Sequence, residues 1–212
     1  SVQGNNSFGV ALDGPLTGNF LSSGSITVVG DNSTALSITA PISGNVLVQG
    51  ATSATGGGAT GVNVQGAVSG PLSIYAAVVS TGYSTTLRNP NPTLNNALLP
   101  SDLLISKSAV QIGSNVQGGV FLGAPPSGTV STDTTTDADG DGVVDSAEGT
   151  GSITTYGAAP ALAIGSGSND VHLGEFGSGN NAYGLVIEGA ATGHGVFDGR
   201  SGTGVQIGGS GG

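Results

Sequence analysis

Five of the chain's 13 acidic residues fall within twelve consecutive positions, 137–148, which read DADGDGVVDSAE. Carboxylates gathered that closely repel one another unless a cation sits among them. Counting Asp137 as position 1 puts Asp139 at 3, Asp141 at 5, Gly142 at 6, Val143 at 7, Asp145 at 9 and Glu148 at 12. A twelve-residue calcium loop takes its oxygens from side chains at positions 1, 3 and 5, a main-chain carbonyl at 7, a direct or water-bridged ligand at 9 and a bidentate Glu at 12, with Gly at 6 for the bend. The expected ligands of a Ca2+ ion are therefore Asp137, Asp139, Asp141, the carbonyl of Val143, Asp145 and Glu148. Val144 at position 8 is the apolar residue that would anchor the loop. Magnesium suits the stretch less well, because many oxygens in a flexible arrangement favour the larger ion. A solvated loop without metal is the ordinary reading of a charge run, and agreement at six diagnostic positions weighs against it here.

The flanks differ from those of a calcium sensor. STDTTT before the loop and GTGSITT after it are β-branched and Gly-rich with no 3.6-residue pattern, so the pair of helices that an EF-hand sensor opens is missing. The sequence here resembles the helix-poor calcium loops of thrombospondin type 3 repeats and related extracellular modules. That resemblance implies calcium as a structural clip.

Other side chains offer less. GSGSNDVHLG from Gly165 is similar to a glycine-rich calcium-binding nonapeptide, but it occurs once, Ser166 and Ser168 replace glycines, and His172 fills an apolar slot. His172 and His194 stand in separate units with no Cys anywhere in the chain, which argues against zinc. Asp170, Glu175, Glu188 and Asp198 could neighbour one another on successive turns of a repeat as paired carboxylates for sugar chemistry. Only Arg88, Lys107 and Arg200 could act as a base or charge clamp beside them, and aromatic platforms for sugar rings are scarce. The expectation is that the chain is not an enzyme.

Composition narrows the partners further. With three fixed cations and a net charge of −10, nothing could neutralise a row of phosphates, which makes nucleic acid and anionic membrane surfaces poor partners, so no nucleic acid is expected. Gly accounts for 41 of 212 residues without collagen's period of three, while 36% hydrophobic residues is too many for simple disorder. No apolar run approaches the roughly 20 residues that cross a bilayer, so no transmembrane segment is expected. Residues 1–10 lack a basic start or hydrophobic block, so a leader has been removed or the sequence is a piece of something longer.

The elements that would position these residues repeat. VQGNNSFGVALDGPLTGNFLSS from Val2, VVGDNSTALSITAPISGNVLVQ from Val28 and ATGGGATGVNVQGAVSGPLSIYA from Ala54 align. The pattern returns from Ser108, Thr155, Gly177 and Arg200, giving about seven units of 22 to 27 residues. Within them GVALDG, ALSITA, GVNVQG, AVQIGS, ALAIGS, GLVIEG and GVQIGG space apolar residues two apart, the mark of strands with one inward face. Val10 with Leu12, Leu36 with Ile38, Val62 with Val64 and Val110 with Ile112 would point inward, as would Leu162 with Ile164, Leu185 with Ile187 and Val205 with Ile207.

Single short strands cannot bury that face alone; stacking equivalent strands about 4.8 Å apart can. The expected fold is all-β: a right-handed parallel β-helix, or β-solenoid, of about seven coils, forming one segment over 1–212. An antiparallel sandwich is the alternative that strand spacing permits, and recurrence of whole units favours the solenoid. Two insertions would leave the coil at corners: a Pro/Asn-rich loop over 84–107, in which Ser101 could start one helical turn, and the acidic calcium-binding loop over 125–151.

These units, among them GNNSFGVALDGPLTGN, GDNSTALSITAPISGNV, GGGATGVNVQGAVSG and NAYGLVIEGAATGHGVFDG, resemble the passenger regions of autotransporter-type surface proteins of sphingomonad-like Gram-negative bacteria. The resemblance implies export to the cell surface or beyond and a C-terminal membrane barrel, of which no amphipathic strand series is present here. Neither end carries a polar cap, so further coils are expected, in the same polypeptide or another copy of it. The leading functional expectation is a structural, calcium-stabilised segment of an extracellular or cell-surface protein, fibre or filament that associates with itself. An adhesin meeting glycans or another cell surface through its insertions comes second, and a polysaccharide-degrading enzyme third.

Overall fold

The structure is a computed structural model that describes residues 1–84, 86–88, 90–91, 93, 105–124, 150–165, 170–197 and 199–208. Their strands form three parallel sheets. The first contains β1 (Val2–Gln3), β4 (Ile26–Val29), β7 (Thr52–Thr55), β10 (Ala77–Thr81), β13 (Ser152–Tyr156) and β16 (Ala190–His194). The second stacks β2 (Phe8–Leu12), β5 (Thr34–Ile38), β8 (Thr60–Val64), β11 (Val110–Ile112), β14 (Pro160–Ile164) and β17 (Thr203–Ile207). The third stacks β3 (Phe20–Ser22), β6 (Val46–Val48), β9 (Leu72–Ile74), β12 (Val120–Leu122) and β15 (Leu185–Ile187). Single parallel bridges link Leu16, Ile42, Val68, Val116 and Leu173 between the second and third sheets. Each coil thus visits three faces, and the chain is a parallel β-solenoid.

The described strands make five complete coils and the first two strands of a sixth, fewer than the seven units that repeat alignment suggests. GLVIEG accounts for the difference. Six of the seven alternating hexapeptides carry strands of the second sheet, but Leu185–Ile187 pairs with β12 in the third. Both sheets need a short strand with two inward aliphatics, so alternation alone does not distinguish them. The unit from Gly177 therefore joins the end of the fifth coil to the start of the sixth.

Over the first three coils the register repeats every 26 residues: Val2 pairs with Val28, Val10 with Leu36 and Leu36 with Val62, and Phe20 with Val46 and Val46 with Leu72. Stacking equivalent residues lines the interior with Leu36, Ile38, Val62, Val64, Val110, Ile112, Leu162 and Ile164, all buried in one core. The end strands of the stacks are less enclosed. Val10, Leu12, Leu185 and Val205 are partly buried against that core, whereas Ile187 is 39% exposed and Ile207 is 69% exposed.

Corners between the first and second sheets are four residues long in the first three coils (4–7, 30–33, 56–59). Each opens on a glycine with positive φ: Gly4 at 139°, Gly30 at 156° and Gly56 at 152°. A Cβ on Gly30 or Gly56 would overlap the carbonyl of the glycine one coil earlier. Side-chain oxygens complete the corners: Asn5 Oδ1 accepts the N–H of Asp31 at 2.8 Å, and Asp31 Oδ1 accepts that of Gly57 at 2.8 Å.

Both interruptions do leave at corners. After β10 the chain departs at this first corner and rejoins the ladder by Ile105, whose carbonyl accepts the N–H of Gly58 at 2.9 Å. After β12 it departs at Gly123, whose carbonyl accepts the N–H of Gly151 at 2.7 Å, so the second excursion is pinched shut at its base. The interrupted strands β10 and β13 still pair in register from Ala77 with Ser152 to Thr81 with Tyr156.

Candidate functional site

All six expected calcium ligands, Asp137, Asp139, Asp141, Val143, Asp145 and Glu148, lie outside the described residues, as does Ser101 in the first insertion. The structure describes only the base of the second excursion, where Gly123 and Gly151 meet at the corner between the third and first sheets. Among the described residues no group of three or more His, Cys, Asp or Glu side chains comes close enough to hold a metal ion.

Three of the four carboxylates considered for catalysis lie in one coil, not on successive ones. Asp170 and Glu175 both sit in the long connection between β14 and β15, and Glu188 follows β15 in the same coil. Asp198 is outside the described residues. His172, in that same connection, donates its main-chain N–H to Asn115 Oδ1 at 2.8 Å, while His194 ends β16 in the next coil.

The described residues with the most chemistry in common gather at the corner between the first and second sheets. An outward column of the first sheet runs Gln3, Val29, Thr55, Thr81, Tyr156, His194 along the solenoid axis. At its end the Tyr156 and His194 rings stack, with centroids 4.9 Å apart and planes 10° from parallel. In-register pairing of aromatic side chains at adjacent strand ends produces this geometry without further help.

Two described residues near the start of the first excursion approach this corner in other coils. Tyr83 comes close to Asp31 of the second coil, and partial burial together with the neighbouring Asp31 carboxylate holds the phenol pKa above its ordinary value. Five residues on, Arg88 reaches the sixth coil, where its Nη1 donates to the carbonyls of Phe197 at 3.2 Å and Gly195 at 3.5 Å. The corner it meets there, 195–202, is eight residues long. Val196 and Phe197 in this corner are buried.

Between excursion and corner lies a cleft of about 410 Å³, lined among others by Thr86, Arg88, Tyr156, His194, Val196 and Arg200. Two of the chain's three fixed cations thus share one depression. Lys107 lines a separate pocket with Ser106 and Gln206. Sequence reasoning identifies the cations but does not bring Arg88 and Arg200 together, since 112 positions separate them. Their occurrence at the two places where the first corner lengthens is the signal that could have done so.

The fold defines the class as a parallel β-solenoid. Comparison with protein-family models, curated proteins and solved structures gave no match to the chain.

Proposed function

We propose that this chain is a structural, non-catalytic segment of an extracellular or cell-surface β-solenoid, a stiff acidic rod that stacks on further coils and carries a calcium-clipped excursion. The observation that supports it most is continuity: three ladders hold register through two excursions of more than twenty residues each. A coil that closes again after such interruptions serves as a scaffold from which loops are displayed. The resemblance to autotransporter passenger regions supports a surface location.

Calcium would act as a clip. When bound, it supplies the positive charge that lets the carboxylates of 137–148 approach one another. At a calcium level about tenfold above a Kd of roughly 10⁻⁴ M, the stabilisation is about 1.4 kcal/mol and vanishes with chelator. The test pairs negative-stain images of the intact polypeptide with calorimetric calcium titration of this segment and of Glu148→Gln. Rods of constant width and saturable binding weakened by E148Q are expected; compact globules would refute the rod, and no heat at millimolar calcium would refute the clip.

A further inference from the structure

The cleft beside the stacked Tyr156 and His194 rings carries chemistry that a plain rod does not need. In a chain of net charge −10, chance placement of three cations seldom brings two to one depression, and no carboxylate is among its described lining residues. Arg88 fixes one wall by its bonds to the Gly195 and Phe197 carbonyls. Arg200, in the lengthened corner of the sixth coil, is exposed and lines the same cleft. Guanidinium groups present a planar fork of donors that matches a carboxylate better than a lysine would. The stacked Tyr156 and His194 rings line the same cleft. A volume of about 410 Å³ falls in the range of roughly 300–1,000 Å³ typical of small-ligand sites.

We propose that this cleft binds a carboxylated saccharide, a uronate unit whose carboxylate pairs with Arg200 while its ring lies against the Tyr156–His194 stack. A saccharide fits better than a polyphosphate, because the exposed Arg200 can pair with the one uronate carboxylate seated in the cleft while the rings receive a sugar face that a polyphosphate lacks. This inference depends neither on stacking nor on calcium, because a rod with or without its clip presents the same corner.

The histidine count provides a clean test. The full chain has two His, 172 and 194, so the two imidazole C–H signals can be followed by NMR while tetragalacturonate is added in calcium-free buffer. The expected result is a saturable shift of His194 with His172 unmoved, weaker at high salt, and absent or much reduced with uncharged maltotetraose. Arg200→Ala should weaken binding about tenfold or more, as loss of a charge-assisted contact does, with circular dichroism unchanged because Arg200 is exposed. Tyr156→Leu should weaken it while leaving salt sensitivity in place. Absence of saturation, a shift confined to His172, equal binding of maltotetraose, or undiminished affinity in R200A would each overturn the proposal.

Discussion

The first three coils and the last three build the same cross-section by different means. In the first three every corner repeats at 26 residues, glycine stacks on glycine from Gly4 to Gly56, and main-chain ladders do nearly all the work. In the last three the period is broken twice and side chains take over. The inward column of the first sheet shows the change: Val2, Val28 and Ala54 give way to Ser80, Thr155 and Gly193. Ser80 Oγ donates to the Lys107 carbonyl at 2.7 Å, Ser106 Oγ reaches Ser80 at 3.3 Å, and Thr155 Oγ1 accepts the Ala109 N–H at 2.8 Å. These hydroxyls stand where the first excursion returns and satisfy main-chain groups that would otherwise be buried alone. Outside the third sheet Phe121 points away from the core yet is only 6% exposed, because Tyr75 packs edge-on at 5.8 Å and Phe176 stacks at 4.8 Å. Exact repetition makes a coil cheap to specify, and departures from it need local polar or aromatic compensation.

Substitutions can break this contrast from either side. The largest effect is expected for Gly56→Val, which places a branched Cβ against the Gly30 carbonyl at a φ of 152°. Strained backbone and overpacking together cost about 4 kcal/mol, and chemical denaturation should show it as a lower midpoint. Thr155→Val keeps the shape but strands the Ala109 N–H in the interrupted half. A loss of about 1–3 kcal/mol is expected by the same measurement, and a neutral result would show that the hydroxyl knot is dispensable. Gly14→Ala is the counterpart within the periodic half: no heavy atom lies within 4 Å of the added Cβ. The variant should fold normally and gain about 0.4–1 kcal/mol through the unfolded chain.

The smallest effect concerns the joint between halves. Because the folded Tyr83 phenol titrates above its ordinary value, the native state retains a proton that the unfolded chain releases. Its contribution to stability is full below the unfolded pKa of about 10 and is lost as pH rises above it through the folded pKa. Tyr83 is half exposed, so the slope is small. Ultraviolet titration of Asp31→Asn should show one phenol moving back toward its ordinary range, and an unchanged curve would contradict the contact.

Much of the solenoid is legible in residue order, because alternation and repeated glycines are local and each repeat is an independent reading of the same coil. Val62 with Val64, or Leu162 with Ile164, declares its inward face without knowledge of any neighbour. What alternation leaves open is which sheet a strand joins, as Leu185–Ile187 shows. Contacts between distant corners are harder still. Arg88 meets Gly195 and Phe197, and Tyr156 meets His194, only once coils of unequal length have been stacked. The acidic loop is the reverse case: its donor spacing is entirely local, so residue order describes it more fully than the fold does.

The central claim is stacking of successive coils in parallel register, and one distance tests it. Thr27, Ser53, Val79, Thr154 and Thr192 form a single outward column of the first sheet. The chain has no cysteine, so Thr27→Cys with Thr192→Cys accepts a pair of spin labels cleanly. Four rungs of about 4.8 Å predict a narrow distribution near 20 Å between residues far apart in sequence. A broad distribution, or one centred beyond about 35 Å, would contradict the stacked coil.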